Sequence, residues 1–155
     1  VDGWWVKLKA EERRRKTGAP GSVLDGVPRE APALQRAERL TEKASRVHFD
    51  WKRIEDVRAK VDEELAELDE AIQSGDSRHV ESELGDVLFA LANLGRWVHV
   101  APEDALRGTI QRFTERFHFI EDRLRAQGRD PSQSTLEEMD ALWDEAKEAL
   151  HSKKA

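Results

Sequence analysis

The chain has no cysteine, few glycines and prolines (nine and five), and no long apolar run. Without cysteine, disulfides, thiolate chemistry and Cys-ligated zinc or iron–sulfur centres are excluded, so any metal must be bound by oxygen or histidine. No stretch approaches the roughly 18 consecutive apolar residues of a membrane-spanning helix. The charged segment 1–16 also lacks the apolar core of a signal peptide. These absences predict a cytoplasmic protein with no membrane partner.

The net negative charge of the chain argues against a nucleic-acid-binding protein. Lys and Arg number 26 against 32 Asp and Glu, a formal net charge of −6. Electrostatic coating of a nucleic acid needs the opposite sign, so we expect no nucleic acid polymer as partner. The 155 residues correspond to about one domain. Because the chain begins with Val1 and its only methionine is Met139, we expect it to be processed or part of something longer.

Apolar residues recur every three or four positions between polar runs, which predicts an all-α fold. We expect an antiparallel helical bundle. Asp50 is predicted to cap the third helix, and Ser134 with Glu137 is predicted to form a capping box for the last one. The predicted helices span residues 4–16, 33–46, 51–73, 77–98, 102 to just before Gly128, and about 135–150.

The fourth and fifth predicted helices carry apolar arcs wider than one partner helix covers. On the fourth helix, Leu84, Leu88 and Leu91 belong to this arc. A bundle with such arcs is completed when two chains pack together, so we expect a homodimer.

Four carboxylates occupy positions that a simple solvated face does not explain. At about 100° per residue, Glu64 borders the apolar stripe of the third helix and Glu67 lies one turn further on the same flank. Glu83 and Asp86 share one flank of the fourth helix. If the two helices pack antiparallel, these carboxylates face each other, and each pair repels by about 1 kcal/mol at 4 Å in water.

A cation resolves that repulsion. Carboxylate oxygens without cysteine or inward histidine favour Mg²⁺, with Mn²⁺ as a substitute. The alternative is a pair of solvated acidic faces, which a chain with 32 acids also accommodates.

The spacing of these acids resembles a known family. Residues 60–67 and 83–86 carry Glu-Glu-x-x-Glu followed by Glu-x-x-Asp, the paired motif of the all-α nucleoside triphosphate pyrophosphohydrolases of the MazG type. Only one motif pair is present, so each chain is expected to hold one centre, whereas two-domain members carry a second domain ahead of it. Further segments resemble the C-terminal catalytic half of those proteins or the segment that leads into it: 22–28, 48–51, 87–96, 102–106, 112–117 and 136–143.

This resemblance implies a division into an N-terminal helical and linker segment, 1–46, and a MazG-like catalytic helical domain, 47–155. It implies hydrolysis of nucleoside triphosphates between the α and β phosphates, which gives nucleoside monophosphate and pyrophosphate. It also implies metal dependence, with Mg²⁺ as the cofactor, and a homodimer. The metal ligands that it implies are Glu64, Glu67, Glu83 and Asp86.

Two further residues of the third helix, Glu63 and Lys60, are candidates for roles in catalysis. Glu63 lies close to Glu67 around the helix, and we hypothesise that it is the general base for water. Its alternative is an exposed acid paired with a basic neighbour. Lys60 is a candidate catalytic residue and phosphate contact, with salt bridging as the alternative.

The remaining candidates are nucleotide contacts. Arg112 and Arg116 match phosphate-contacting positions of the family, with salt bridges as the alternative. Trp143 matches a position that stacks on a base, with packing in the core as the alternative. Asn93 either binds the nucleotide or a ligand carboxylate, or ties down a neighbouring helix. The nucleotide-binding set is Lys60, His79, Ser82, Asn93, Arg112, Arg116 and Trp143.

Base tolerance is expected to be broad, because stacking does not depend on base identity. Two alternatives remain open. One is a narrower dUTP or dCTP pyrophosphatase of the same superfamily, and the other is a catalytically silent nucleotide-binding helical module.

Overall fold

A computed structural model describes residues 2–18 and 21–151, and these residues form six α-helices and one short 3-10 turn. No described residue lies in a strand, which confirms the all-α prediction. No helix in the described ranges is long and apolar enough to cross a membrane. The chain divides into two compact units, Val1–Ala105 and Leu106–Ala155. The helices are α1 (Asp2–Thr17), α2 (Ala33–Ser45), α3 (Ile54–Ser74), α4 (Ser77–Trp97), α5 (Pro102–Arg125) and α6 (Leu136–His151).

An antiparallel hairpin of α3 and α4 forms the centre of the first unit. Gly75 ends α3 in the left-handed conformation (φ 73°), where a residue without Cβ is favoured. The Asp76 side chain then accepts hydrogen bonds from the backbone N–H groups of Arg78 and His79, which caps α4. The short turn forces α4 back along α3 and brings their two acidic motifs side by side.

The core of this unit is narrow and built from small side chains. Helix α4 packs against both α3 and α2. Alanines at the contacts let the helix backbones approach closely, and the valines fill the space between them. The buried apolar residues are Ala37, Val57, Val61, Ala71, Val87, Ala90 and Ala92.

The predicted cap at Asp50 is wrong. Helix α3 begins at Ile54, and its N-cap residue, Arg53, makes no side-chain capping bond. The Asp50 carboxylate instead accepts a hydrogen bond from Arg96 at 2.7 Å and one from the indole N–H of Trp97 at 3.3 Å. Burial opposes ionisation, but the bond and charge of Arg96 outweigh it and hold the pKa of Asp50 below its usual range. Asp50 therefore ties the loop before α3 to the last turn of α4.

The predicted capping box of Ser134 and Glu137 is wrong, and a single cap from Thr135 takes its place. Thr135, rather than Ser134, accepts the backbone N–H of Glu138, at 3.2 Å. The Ser134 hydroxyl donates to the Glu138 carboxylate at 2.8 Å, and Arg129 forms an ion pair with the same carboxylate. The hydrogen bond from Arg129 lowers the pKa of Glu138. Because α6 begins at Leu136, Thr135 occupies the N-cap position and Ser134 lies one residue before it.

Candidate metal centre and nucleotide site

Three of the four predicted metal ligands meet between α3 and α4. Glu64 on α3 and Glu83 and Asp86 on α4 each offer a carboxylate oxygen, and these oxygens lie within 4.8 Å of one another. We call these three residues the acidic group. Glu64 is 6% exposed, Glu83 is half-buried and Asp86 is exposed. The group therefore has a buried floor and opens to solvent at Asp86.

Two oxygens of the acidic group lack partners. Glu64 Oε2 and Glu83 Oε2 are buried and accept no hydrogen bond from any described residue. The opposite oxygens are engaged, since Glu64 Oε1 is 2.8 Å from Lys60 Nζ and Glu83 Oε1 is 3.5 Å from His79 Nε2. A buried, charged oxygen without a partner is costly. Two such oxygens in one group are the arrangement that a bound cation satisfies.

The four predicted ligands differ in their electrostatics. The hydrogen bond from Lys60 outweighs burial and lowers the pKa of Glu64, which keeps it ionised. Its neighbour Glu67 lies within hydrogen-bonding reach of Glu64, and that contact together with the charges of Glu64 and Glu83 raises the pKa of Glu67. Glu67 falls outside the acidic group and borders it. A cation at the group would reverse the repulsion that acts on Glu67.

Lys60 is the basic residue beside these acids. Its ammonium lies 3.3 Å from Glu63 Oε2 as well as 2.8 Å from Glu64 Oε1. The hydrogen bond to Glu64 raises the pKa of Lys60. The Glu63 side chain is 56% exposed and makes no contact with the acidic group itself beyond this shared lysine. The i, i+4 spacing of Lys60 and Glu64 was the signal for their ion pair.

Near the start of α4, His79 and Ser82 occupy exposed positions ahead of Glu83. His79 approaches the Glu83 carboxylate, as stated above. Both residues therefore lie on the hairpin that carries the acidic group.

Asn93 borders a cavity with a volume of about 590 Å³. Its side-chain oxygen accepts hydrogen bonds from Arg96 at 2.8 and 3.1 Å, and Arg96 in turn holds Asp50. Its amide NH₂ has no hydrogen-bond acceptor among the described residues, so it remains available as a donor. Aromatic side chains from two segments line the same cavity: His48, Phe49, Trp51 and Phe89.

Three of the predicted nucleotide contacts belong to the second unit. The Trp143 ring packs against Phe113, with centroids 5.5 Å apart, and the Arg116 guanidinium lies 5.4 Å from its centroid. Arg112 donates a hydrogen bond to the Thr109 hydroxyl at 3.0 Å. Within this unit Trp143 is thus partly packed, and Arg116 and Arg112 stand on one side of α5.

Fold and site define a helical protein whose central hairpin gathers carboxylates into one group. Residues 52–118 match the family model of the MazG nucleotide pyrophosphohydrolase domain. This segment, which contains the whole α3–α4 hairpin, belongs to the MazG family.

Similar proteins agree with that assignment. The chain is 40% identical over 143 residues to the nucleoside triphosphate pyrophosphohydrolase/pyrophosphatase MazG of Thermotoga maritima, covering 92% of this chain and 54% of that protein. It is 38% identical over 145 residues to the nucleoside triphosphate pyrophosphohydrolase of Escherichia coli K12, with the same coverage of each chain. It is 39% identical over 145 residues to the uncharacterized protein YabN of Bacillus subtilis, covering 93% of this chain and 29% of that one. The chain therefore spans about half the length of the first two relatives.

Proposed function

We propose that this chain hydrolyses nucleoside triphosphates to nucleoside monophosphate and pyrophosphate by using a divalent cation at the acidic group. The observation that carries the proposal is the pair of buried, unpartnered oxygens on Glu64 and Glu83. Two relatives named as nucleoside triphosphate pyrophosphohydrolases support the reaction.

The donor set fits Mg²⁺, with Mn²⁺ as a substitute. All the donors of the acidic group are carboxylate oxygens, and Mg²⁺ binds protein through a few carboxylates while it keeps sites for water and phosphate. Glu64, Glu83 and Asp86 would hold the ion, and Glu67 would complete the set from the border of the acidic group. When bound, the cation neutralises charge that develops on phosphate oxygens.

The hydrolysis needs a proton acceptor and a positive charge near the phosphates. Glu63 is the general base: its carboxylate takes a proton from the water whose oxygen attacks the α-phosphorus. The bond from the α-phosphorus to the bridging oxygen breaks, and pyrophosphate leaves with that oxygen. Lys60, already held between Glu63 and Glu64, orients the base and lies beside the phosphates.

The nucleoside part occupies the aromatic cavity beside Asn93. Asp86, Phe89 and Asn93 are spaced three and four residues apart, so they follow one flank of α4 from the acidic group into the cavity. The Asn93 amide NH₂ donates to a base oxygen or ring nitrogen, and the aromatic rings stack. His79 and Ser82, near the start of α4, contact phosphates. Arg112 and Arg116 on α5 keep their proposed role as phosphate contacts, and Trp143 keeps its proposed role as a base-stacking residue.

Stacking and a single amide donor give broad base tolerance, because every base has an aromatic face and an acceptor. Kinetics with all eight common nucleotides separate this from a pyrophosphatase restricted to dUTP or dCTP. Similar kcat/KM values for purines and pyrimidines are expected. A preference of more than about a hundredfold for one pyrimidine, roughly 2.7 kcal/mol, would favour the narrower enzyme.

The bond that is cleaved is tested by the products. Incubation of the chain with each triphosphate and Mg²⁺ is expected to give monophosphate and pyrophosphate in equal amounts, measured by anion-exchange chromatography. Diphosphate with inorganic phosphate would show that the wrong bond is assigned. Binding without any phosphate release would show a catalytically silent module.

A homodimer completes the bundle. Leu84, Leu88 and Leu91 on α4 remain 44–47% exposed, although single exposed leucines are ordinary and only a row of them indicates a partner. Light scattering coupled to size exclusion is expected to give twice the chain mass of 17.7 kDa. A monomer at the concentration used for turnover would contradict this assembly.

A further inference from the structure

A second cavity, of about 440 Å³, lies beside α1, α2 and the loop before α2, and its lining is strongly basic. Only two acids line it, Glu12 and Asp25. None of its lining residues belongs to α3 or α4, so it is separate from the acidic group. We call its six basic residues the cationic cluster: Lys9, Arg13, Lys16, Arg39, Lys43 and Arg46.

The two acids do not neutralise this cluster. Glu12 is paired with Lys16 at 3.0 Å, and Asp25 is paired with Arg13 at 2.7 Å. Of the remaining cations, Arg46, which follows the last residue of α2, is paired with Glu42 of that helix at 3.3 Å. The other three, Lys9, Arg39 and Lys43, form no ion pair with any described residue. In a chain of net charge −6, the cavity therefore holds an excess of positive charge.

Two cations converge at Gly26. A Cβ placed on Gly26 (φ 97°) would lie 3.3 Å from Arg13 Nη2 and 3.6 Å from Lys43 Nζ. Burial and the nearby charges of Arg46, Arg39, Lys9 and Arg13 lower the pKa of Lys43. Asp25 balances the charge of Arg13, whereas Lys43 is repelled by its basic neighbours, and an anion bound beside it would relieve that repulsion.

We propose that this cavity binds a small polyphosphate anion, either free pyrophosphate or the phosphate chain of a nucleotide. Arginine forks and lysine ammonium groups are the protein donors that suit phosphate oxygens. A concave cavity, in contrast to a long basic stripe, fits a small anion, and the negative net charge disfavours a nucleic acid polymer. Trp5 also lines the cavity, with Lys9 Nζ 5.5 Å from its ring centroid, and its exposed ring supplies an aromatic surface for a base.

Calorimetry in EDTA and low salt tests the proposal without turnover, so its outcome is independent of catalysis at the acidic group. Pyrophosphate and ATP are titrated separately into the wild type, into Arg39→Gln/Lys43→Gln, and into Arg14→Gln/Arg15→Gln. The control pair removes the same charge from α1, at residues that do not line the cavity. Saturable binding of at least one anion is expected, weakened tenfold or more in Arg39→Gln/Lys43→Gln and less than twofold in the control.

The two titrations identify the source of the anion. Binding of pyrophosphate alone assigns the free anion, and binding of ATP without pyrophosphate assigns a nucleotide. Absence of saturable binding by both, or equal weakening in both double variants, would overturn the proposal.

Lysine footprinting of the wild type maps the site without any variant. Limited acylation followed by mass spectrometry is expected to show Lys43 and Lys9 protected at least threefold by the anion that binds, again in EDTA. Lys7 on α1 lies outside the cavity lining and is the internal control. Unchanged labelling of Lys43, or equal protection of Lys7, would overturn the assignment to this cavity.

Discussion

Replacing Glu83 by Gln is expected to lower the rate of pyrophosphate release by about a hundredfold to a thousandfold, the loss typical when one electrostatic contact to the transition state is removed. The amide keeps the shape of the side chain and removes a charge whose buried oxygen has no other partner. Steady-state turnover at saturating Mg²⁺ and nucleotide measures the effect.

The matched control is Glu81→Gln, the same change two residues earlier on an exposed position of α4. We expect it to retain turnover within about twofold, because surface substitutions away from special features change little. In EDTA, Glu83→Gln is also expected to unfold at a higher temperature than the wild type, since one member of a repelling group becomes neutral. Equal turnover of Glu83→Gln and the wild type would remove Glu83 from the site.

Replacing Glu63 by Gln is expected to lower kcat by about a hundredfold to ten-thousandfold, the usual contribution of a general base. Unlike Glu83→Gln, this variant should keep Mg²⁺ affinity near that of the wild type, because Glu63 is outside the acidic group. Turnover and calorimetric Mg²⁺ titration on the same preparation measure both quantities.

Glu70→Gln, on an exposed position of the same helix, is the control for Glu63→Gln. It is expected to match the wild type in both measurements. If Glu63→Gln also keeps full turnover, the Lys60 ion pair is the whole role of Glu63, and the base must be sought elsewhere.

The sequence predicted the parts of the site that depend on helix periodicity and a short turn. Glu64 borders an apolar stripe, and the short turn Ser74–Asp76 favours an antiparallel return of α4, so the sequence indicated that the carboxylates of α3 and α4 can face each other. Spacing alone left a pair of solvated acidic faces as the alternative, and the structure brings the carboxylates of Glu64, Glu83 and Asp86 together.

Contacts between residues that are far apart in the chain could not be predicted from the sequence. Aspartate is a residue type that favours N-cap positions. The carboxylate of Asp50 is instead bound by Arg96 and Trp97, which are 46 and 47 residues away. Nothing in the local pattern reveals that contact. The aromatic cavity is likewise assembled from α2, the loop before α3 and α4, and no single segment signals it.

The sequence also could not distinguish between neighbouring residues that have similar side chains. Ser134 and Thr135 are both good caps, and the choice depends on the exact residue at which α6 begins, Leu136. Glu67 shares a flank with Glu64, yet side-chain geometry leaves it at the border of the acidic group.

Direct titration of the chain with Mg²⁺ in the absence of nucleotide tests the central claim. The wild type is expected to bind Mg²⁺ saturably and to gain about 2.7 kcal/mol of unfolding free energy at a hundredfold excess over the dissociation constant. Glu64→Gln/Glu83→Gln should show neither effect. Equal heats and equal stabilisation in the wild type and this double variant would contradict the proposal that the acidic group binds the cation.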